Sequence, residues 1–279
     1  MIPITILVED TTENFKYSCA KGLSIFINTK EQKILMDTGP NSTFIKNAKK
    51  LGIDLTQINT LILSHAHRPF NGGLNQFCKI NKDAQIVIQN TDFEKYYLVK
   101  GKSKKNISPK LTVKNLPQIR MINNPAQITT NSWFIPCTVH NYGTPKKNQF
   151  LYRKTPSKFV MDNFMHEGIF VIDDNGELVI FNSCSHNGVI NSIESAKQFF
   201  PNKRLRSYVG GFHFPFKDNE TIPPDDMRNL DEIIDYSKIN QNLRFFTGHC
   251  TGLPAIEYLQ RGIGKNRVLK IQSGGFYTI

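Results

Sequence analysis

Two histidines one residue apart, His65 and His67, follow directly on the apolar run Leu61-Ile62-Leu63. The run reads as a buried strand. The pair therefore stands where that strand opens into the loop Ser64-His65-Ala66-His67-Arg68-Pro69-Phe70-Asn71-Gly72-Gly73. Imidazole suits zinc, iron or manganese, and such ions need several ligands in fixed geometry. Three more histidines stand in short turns after apolar runs. They are His186 in Asn182-Ser183-Cys184-Ser185-His186-Asn187-Gly188, His213 in Gly210-Gly211-Phe212-His213-Phe214, and His249 in Gly248-His249-Cys250-Thr251-Gly252. Any one of them alone reads as a hydrogen-bonded histidine near the core, whereas the five together read as one shared site. Cys184 and Cys250 flank that set, inert as thiols or ligating as thiolates. Cys250 reads as inert and Cys184 stays open. His140 and His166 lie in less regular contexts and read as surface or insertion residues.

Alternating strands and helices must position these residues. Apolar patterning predicts strands over Ile4–Val8, Leu23–Asn28, Lys33–Met36, Leu61–Leu63 and Gln85–Gln89, with helices over Thr43–Leu51 and Leu74–Ile80. In the second half it predicts a hairpin of Gly168–Ile172 and Glu177–Phe181 turning over Asp174-Asn175-Gly176. Helix Val189–Phe200, strand Leu205–Val209, helix Pro224–Ser237, strand Leu243–Phe246, helix Pro254–Arg261 and strand Val268–Ile271 follow. Between the halves, residues 99–160 are rich in Lys, Asn and Pro, with short strands near Gln118–Ile122 and Trp133–Cys137. We read residues 1–279 as a single domain with a basic insertion or lid at about 93–160.

The chain has a formal net charge of +12. From Phe93 to Lys158 there are 13 Lys or Arg and one acid, Glu94, so this segment carries all of it. A localised basic region suits a small anionic substrate, a nucleic acid bound through residues 93–158, or an acidic partner; a solvated lysine-rich face is the plainer reading. No apolar run approaches the ~20 residues of a membrane span. The start of the chain lacks a signal-peptide pattern, and five dispersed cysteines suggest reduced thiols; both point to a cytoplasmic protein.

Ile34-Leu35-Met36-Asp37-Thr38-Gly39 resembles the Asp-Thr-Gly turn that precedes the metal loop in metallo-β-lactamase-fold proteins. The loop at Ser64–Gly73 resembles the first half of their His-x-His-x-Asp-His loop, which often continues into Gly-Gly. Leu51-Gly52-Ile53-Asp54-Leu55 is similar to the connection that leads to this loop in one subgroup, which includes a dihydropterin-aminobenzene-phosphate synthase. Cys184–His186, Gly210–His213 and Gly248–Gly252 resemble three further patterns of that subgroup, in the same order. The resemblance spans about residues 1–90 and 165–279. It implies an α/β fold, an αββα sandwich with the metal site at one sheet edge. It also implies His65 and His67 on a first metal and His249 on a second, with His186, His213 or Cys184 supplying the remaining contacts. Asp37 would orient a ligand histidine or a water. We therefore take His65, His67, His186 and His249 as candidate metal ligands, Asp37 and His213 as candidate catalytic residues, and Arg68 and Cys184 as candidate substrate contacts.

The chain departs from the family pattern at Pro69 and Phe70, which stand where the loop's Asp and second His belong and have no donor atom for a metal. The expected cofactor is a divalent ion, zinc before manganese or iron, with one ion rather than two. Two functions compete. One is a metal-dependent hydrolase with an altered, mononuclear site, acting on a small phosphorylated or cyclic-phosphate substrate. The other is a catalytically inactive protein of this fold that binds a nucleotide, a nucleic acid or a protein. Lactamase-like or thioester hydrolysis is a third chemistry that fold alone does not exclude.

Overall fold

The computed structural model describes residues 1–90, 95–109 and 118–279. Phe93 and Glu94, and Lys110 and Lys114 of the basic segment, lie outside the described residues. The chain divides into two compact units. One comprises Met1–Asn123, Gln149–His166 and Gln272–Thr278; the other comprises Asn124–Asn148, Glu167–Ile271 and Ile279.

The first unit's large sheet runs, edge to edge, β18 (Phe276–Thr278), β1 (Pro3–Val8), β2 (Ser24–Asn28), β3 (Lys33–Met36), β4 (Thr60–Leu63), β5 (Gln85–Gln89) and β8 (Ile119–Ile122). β18 to β3 pair antiparallel and β3 to β8 parallel. Parallel neighbours need crossovers, and helices make them. α1 (Thr43–Lys50) joins β3 to β4; α2 (Arg68–Asn71) and α3 (Leu74–Ile80) join β4 to β5. Phe44 and Ala48 of α1 pack with Leu74, Phe77 and strand residues Leu35, Leu61 and Ile86 in one buried cluster. Gly72 and Gly73 allow this packing, because a Cβ on Gly72 would stand 2.1 Å from the Pro40 carbonyl oxygen and one on Gly73 2.6 Å from the Phe44 ring. A second, four-stranded sheet in this unit runs β12 (Phe159–Met161), β11 (Leu151–Lys154), β6 (Tyr96–Lys100), β7 (Ser103–Asn106).

The second unit's sheet runs β17 (Val268–Lys270), β16 (Arg244–Thr247), β15 (Arg204–Val209), β14 (Glu177–Phe181), β13 (Gly168–Asp174), β10 (Ser132–Pro136), β9 (Ala126–Thr129). Here too one half is parallel, β14 to β17, and its crossovers are α4 (Val189–Phe199), α5 (Pro224–Ile239) and α6 (Leu253–Ile263). Their apolar faces join Ile180, Tyr208 and Phe245 in one core. β13 and β14 form the expected hairpin, with Asn175 at φ 58° and Gly176 at φ 91°. The described strands of residues 95–160 fall in three sheets. β8 lies in the first unit's large sheet, β9 and β10 in the second unit's sheet, and β6, β7, β11 and β12 in the four-stranded sheet.

The strand-end turns are tight. Gly210 follows β15 at φ +138°, and a Cβ there would stand 1.8 Å from the Asn182 carbonyl oxygen. Both points are backbone, so neither can swing aside. Gly210→Ala is expected to cost about 2–4 kcal/mol, read as a lower urea midpoint. An unchanged midpoint would show that the turn yields.

Candidate metal centre

In open α/β sheets the loops beyond the carboxyl ends of parallel strands collect functional side chains. Asp37 follows β3, Ser64 to His67 follow β4, Cys184 to His186 follow β14, His213 follows β15, and His249 and Cys250 follow β16. Backbone strain collects in the same places. Of the seven non-glycine residues with positive φ among those described, Asp37, Ser185, His213 and His249 lie at these strand ends, and Phe164 lies between Asp162 and His166.

In the first unit, Asp37, His65 and His67 are buried. The Ser64 backbone N–H donates to Asp37 Oδ1 at 2.9 Å and its hydroxyl donates to Oδ2 at 2.6 Å. With its proton committed, Ser64 Oγ accepts from His65 Nδ1–H at 2.8 Å. His65 Nε2 then carries the lone pair that an ion would take. Asp37 acts through Ser64 on His65, as a positioning group. His67 turns the other way: its Nε2 faces Asp162 Oδ2 at 3.4 Å, an ion-pair approach. Carboxylates that orient metal-binding imidazoles in this way raise ligand basicity and fix the tautomer.

His166 is not a surface residue. It is 1% exposed. Its ring centroid lies 4.9 Å from that of His67 and its ring stacks on His65 at 6.0 Å. The Ala66 backbone N–H donates to His166 Nδ1 at 3.1 Å, so the ring's own proton sits on Nε2 and is donated to Asp162 Oδ2 at 3.0 Å. Asp162 Oδ1 accepts from the Phe164 N–H at 2.9 Å, an Asx-turn closed just after β12. Burial alone would raise the Asp162 pKa. The charge and hydrogen bond of His166, then those of His67, outweigh that and hold it well below the usual carboxylate range. Phe70 fills space beside this group, its ring centroid 4.2 Å from that of His65. Arg68 is half-buried and donates from Nε to the Ser108 carbonyl at 3.2 Å, a tie within its own unit.

A cavity of about 440 Å³ in this unit is walled by Lys95, Asn123, Arg153 and Lys154 and reaches Tyr96 and His166. The Tyr96 and His166 ring centroids are 4.4 Å apart. Three cations of the basic segment thus border a space whose lining includes His166 but neither His65 nor His67.

In the second unit, the buried His186 donates Nδ1–H to Asn148 Oδ1 at 2.9 Å, while Asn148 Nδ2 donates to the His186 carbonyl at 2.7 Å. His186 Nε2 therefore carries the lone pair. Buried Glu167 holds the same loop, accepting from the His186 and Asn187 backbone N–H groups at 2.8 Å each and from Asn187 Nδ2 at 2.9 Å. The His186 and His213 ring centroids are 4.2 Å apart. His213 Nδ1 lies 3.3 Å from Cys184 Sγ, which lies 3.3 Å from Cys250 Sγ. No disulfide joins any of the five cysteines. His249, next to Cys250 in the chain, is half-buried.

Asp162, His166, Glu167 and Asn148 were not legible as site residues. The only sequence signal is Asp162 and His166 four apart, just before the apolar strand β13.

Comparison with known proteins bears on these groups. The sequence profile of the metallo-β-lactamase superfamily matches residues 19–144. The chain is 26% identical over 276 residues to a 7,8-dihydropterin-6-methyl-4-(β-D-ribofuranosyl)-aminobenzene-5'-phosphate synthase of Methanocaldococcus jannaschii, covering 91% of this chain and 89% of that one. A second, uncharacterized protein of the same organism is 26% identical over 266 residues, covering 92% and 94%. Among solved structures, Tm1679, a metal-dependent hydrolase of the β-lactamase superfamily, superposes with a TM-score of 0.83 at 21% identity, over 100% of this chain and 99% of that one. A diphosphatase of the PhnP family superposes at 0.51 and 13% identity, over 100% and 98%.

Proposed function

This chain carries a metallo-β-lactamase superfamily domain of α/β architecture, and from that premise we propose that it is a metal-dependent hydrolase with a mononuclear site, acting on a small phosphorylated substrate. The observation that carries the reading is the cavity bordered by Lys95, Arg153 and Lys154 that ends on His166, beside the imidazoles of His65 and His67. The donor set fits a divalent ion of the zinc, manganese or iron class: two imidazoles, with His65 Nδ1 on Ser64 Oγ and His67 Nε2 facing Asp162. His65 and His67 would hold the ion, His65 through Nε2. A divalent ion bound there supplies a Lewis acid and lowers the pKa of water toward neutrality. The chain's own residues do the rest. Lys95, Arg153 and Lys154 gather the phosphate, Tyr96 offers a ring face to its organic part, and Asp162 keeps the His67 and His166 protons pointed away from the reacting group. Pro69 and Phe70 support one ion rather than two. The phosphate in the name of the M. jannaschii synthase is in keeping with an anionic substrate.

The test is elemental analysis of the purified full-length chain, with a phosphomonoester and phosphodiester panel in the presence of zinc, manganese or iron(II). We expect close to one ion on the His65–His67 pair, lost in the His65→Ala variant, and turnover of a phosphoester. Arg153→Ala combined with Lys154→Ala is expected to lower kcat/KM about 10–100-fold, mostly through KM, since a hydrogen bond to a charged group is worth ~1.5–3 kcal/mol. No retained ion together with no turnover would leave the non-catalytic binding reading in possession.

A further inference from the structure

We infer that the second unit holds its own soft-metal site, formed by Cys184 Sγ, Cys250 Sγ and His213 Nδ1. The proposal stands apart from the His65–His67 reading, because all three donors belong to the second unit. Their ligand atoms lie within 4.8 Å of one another. The two measured edges of the triangle, Sγ to Sγ and Sγ to Nδ1, are both 3.3 Å. A zinc-class ion with S at ~2.3 Å and N at ~2.0–2.1 Å sets tetrahedral ligand atoms about 3.5–3.8 Å apart. The trio would open by only about half an ångström to take one.

The surroundings are built for thiolates. The His213 backbone N–H donates to Cys250 Sγ at 3.2 Å. A Cβ on Gly211 would stand 2.5 Å from the same sulfur, so only glycine leaves it room. His213 and His249 hold left-handed backbone at φ 57° and 51°, which is strain spent at the two strand ends that bring these donors together. Cys184 and Cys250 are buried and His213 is half-buried, so the imidazole side is the route for an ion. Two thiolates and one imidazole select zinc-class or cuprous ions over magnesium or manganese. On binding, each thiol releases its proton to solvent.

The full-length reduced chain, titrated with cobalt(II) as the probe, is expected to develop a thiolate-to-cobalt charge-transfer band. The band should persist in His65→Ala and disappear in Cys184→Ser and in Cys250→Ser. Zinc-loaded wild-type and His65→Ala chains should both show a sulfur shell at about 2.3 Å by X-ray absorption, a readout that does not require the cysteine variants to fold. A band that survives both serine changes, or zinc-loaded chains with no sulfur neighbour, would overturn the assignment. An intact sulfur shell with the same zinc content in wild type and His65→Ala would count against the first-unit reading alone.

Discussion

Asp162→Asn is expected to weaken metal binding by about 10–100-fold and to destabilise the fold by ~3–5 kcal/mol. Both effects come from one carboxylate. Its Oδ1 accepts from the Phe164 N–H, and its Oδ2 faces the Nε2 atoms of His166 and His67. His166 cannot adapt, because the Ala66 N–H occupies its Nδ1 and fixes its proton on Nε2. An asparagine offers one acceptor and one donor. Whichever way it turns, its NH₂ meets another N–H, so a buried donor is stranded at a cost of ~1–3 kcal/mol in addition to the lost charge. His67 then loses the carboxylate that its Nε2 faces. Metal affinity should be read by competition with a chelator, and stability by urea unfolding of metal-stripped protein.

The acid limb gives a second readout. The folded Asp162 pKa lies below its unfolded value. The stability it confers is therefore complete above the unfolded value of about 3.9 and is lost as pH falls through the depressed folded value. The gap between wild type and variant should be full at neutral pH and shrink only in strong acid. Equal gaps at both ends would mean that shape, not charge, is what Asp162 contributes.

The alternation of strands and crossover helices was readable because apolar residues repeat with the right period, and the resemblance carried by Asp37–Gly39 and Ser64–Gly73 implied the α/β fold class. Lys33–Met36, Leu74–Ile80 and Gln85–Gln89 have the predicted bounds. His65 and His67 were readable because a two-residue spacing after an apolar strand is a local pattern. Other features were not local. Asp162 follows β12, which is three residues long and has no buried residue, so nothing in its periodicity marks a turn that delivers side chains inward. His166 reads as ordinary until the Ala66 N–H, 100 residues away in the chain, is found on its ring. Cys184 and Cys250 are 66 residues apart, with no spacing to suggest that their sulfurs meet. The short strands near 118–122 and 133–137 were visible, but which sheet accepts them is a matter of tertiary pairing. β8 completes one large sheet, while β9 and β10 edge the other. The short helix α2 was hidden by Pro69, which reads as a breaker yet sits in the first turn, where its missing N–H does no harm.

Pro69 and Phe70 also set up the most decisive gain-of-function experiment. Position 70 is held by backbone. The Thr38 N–H donates to its carbonyl at 2.6 Å, and its own N–H donates to the His67 carbonyl at 3.1 Å. Whatever side chain stands there is therefore delivered beside His65, as the Phe70 ring is now, 4.2 Å away and 2% exposed. Phe70→His with Pro69→Asp would exchange an apolar plug for an imidazole and a carboxylate in the order that the family's metal loop uses. Trading a buried phenyl ring for a polar one is expected to cost about 1–3 kcal/mol of stability in metal-free protein. Metal should return that stability, because an ion that binds only the folded state stabilises it by mass action. We expect the double variant to bind one more ion per chain than its parent by elemental analysis. We also expect it to turn over the parent's phosphoester at least about tenfold faster, ~1.4 kcal/mol off the barrier. Phe70→His alone supplies an imidazole without its carboxylate and should fall between the two. A double variant that takes up the extra ion without any gain in rate would show that Phe70 is not what limits the chemistry, and would move attention to Asp162 and His166, which face His67.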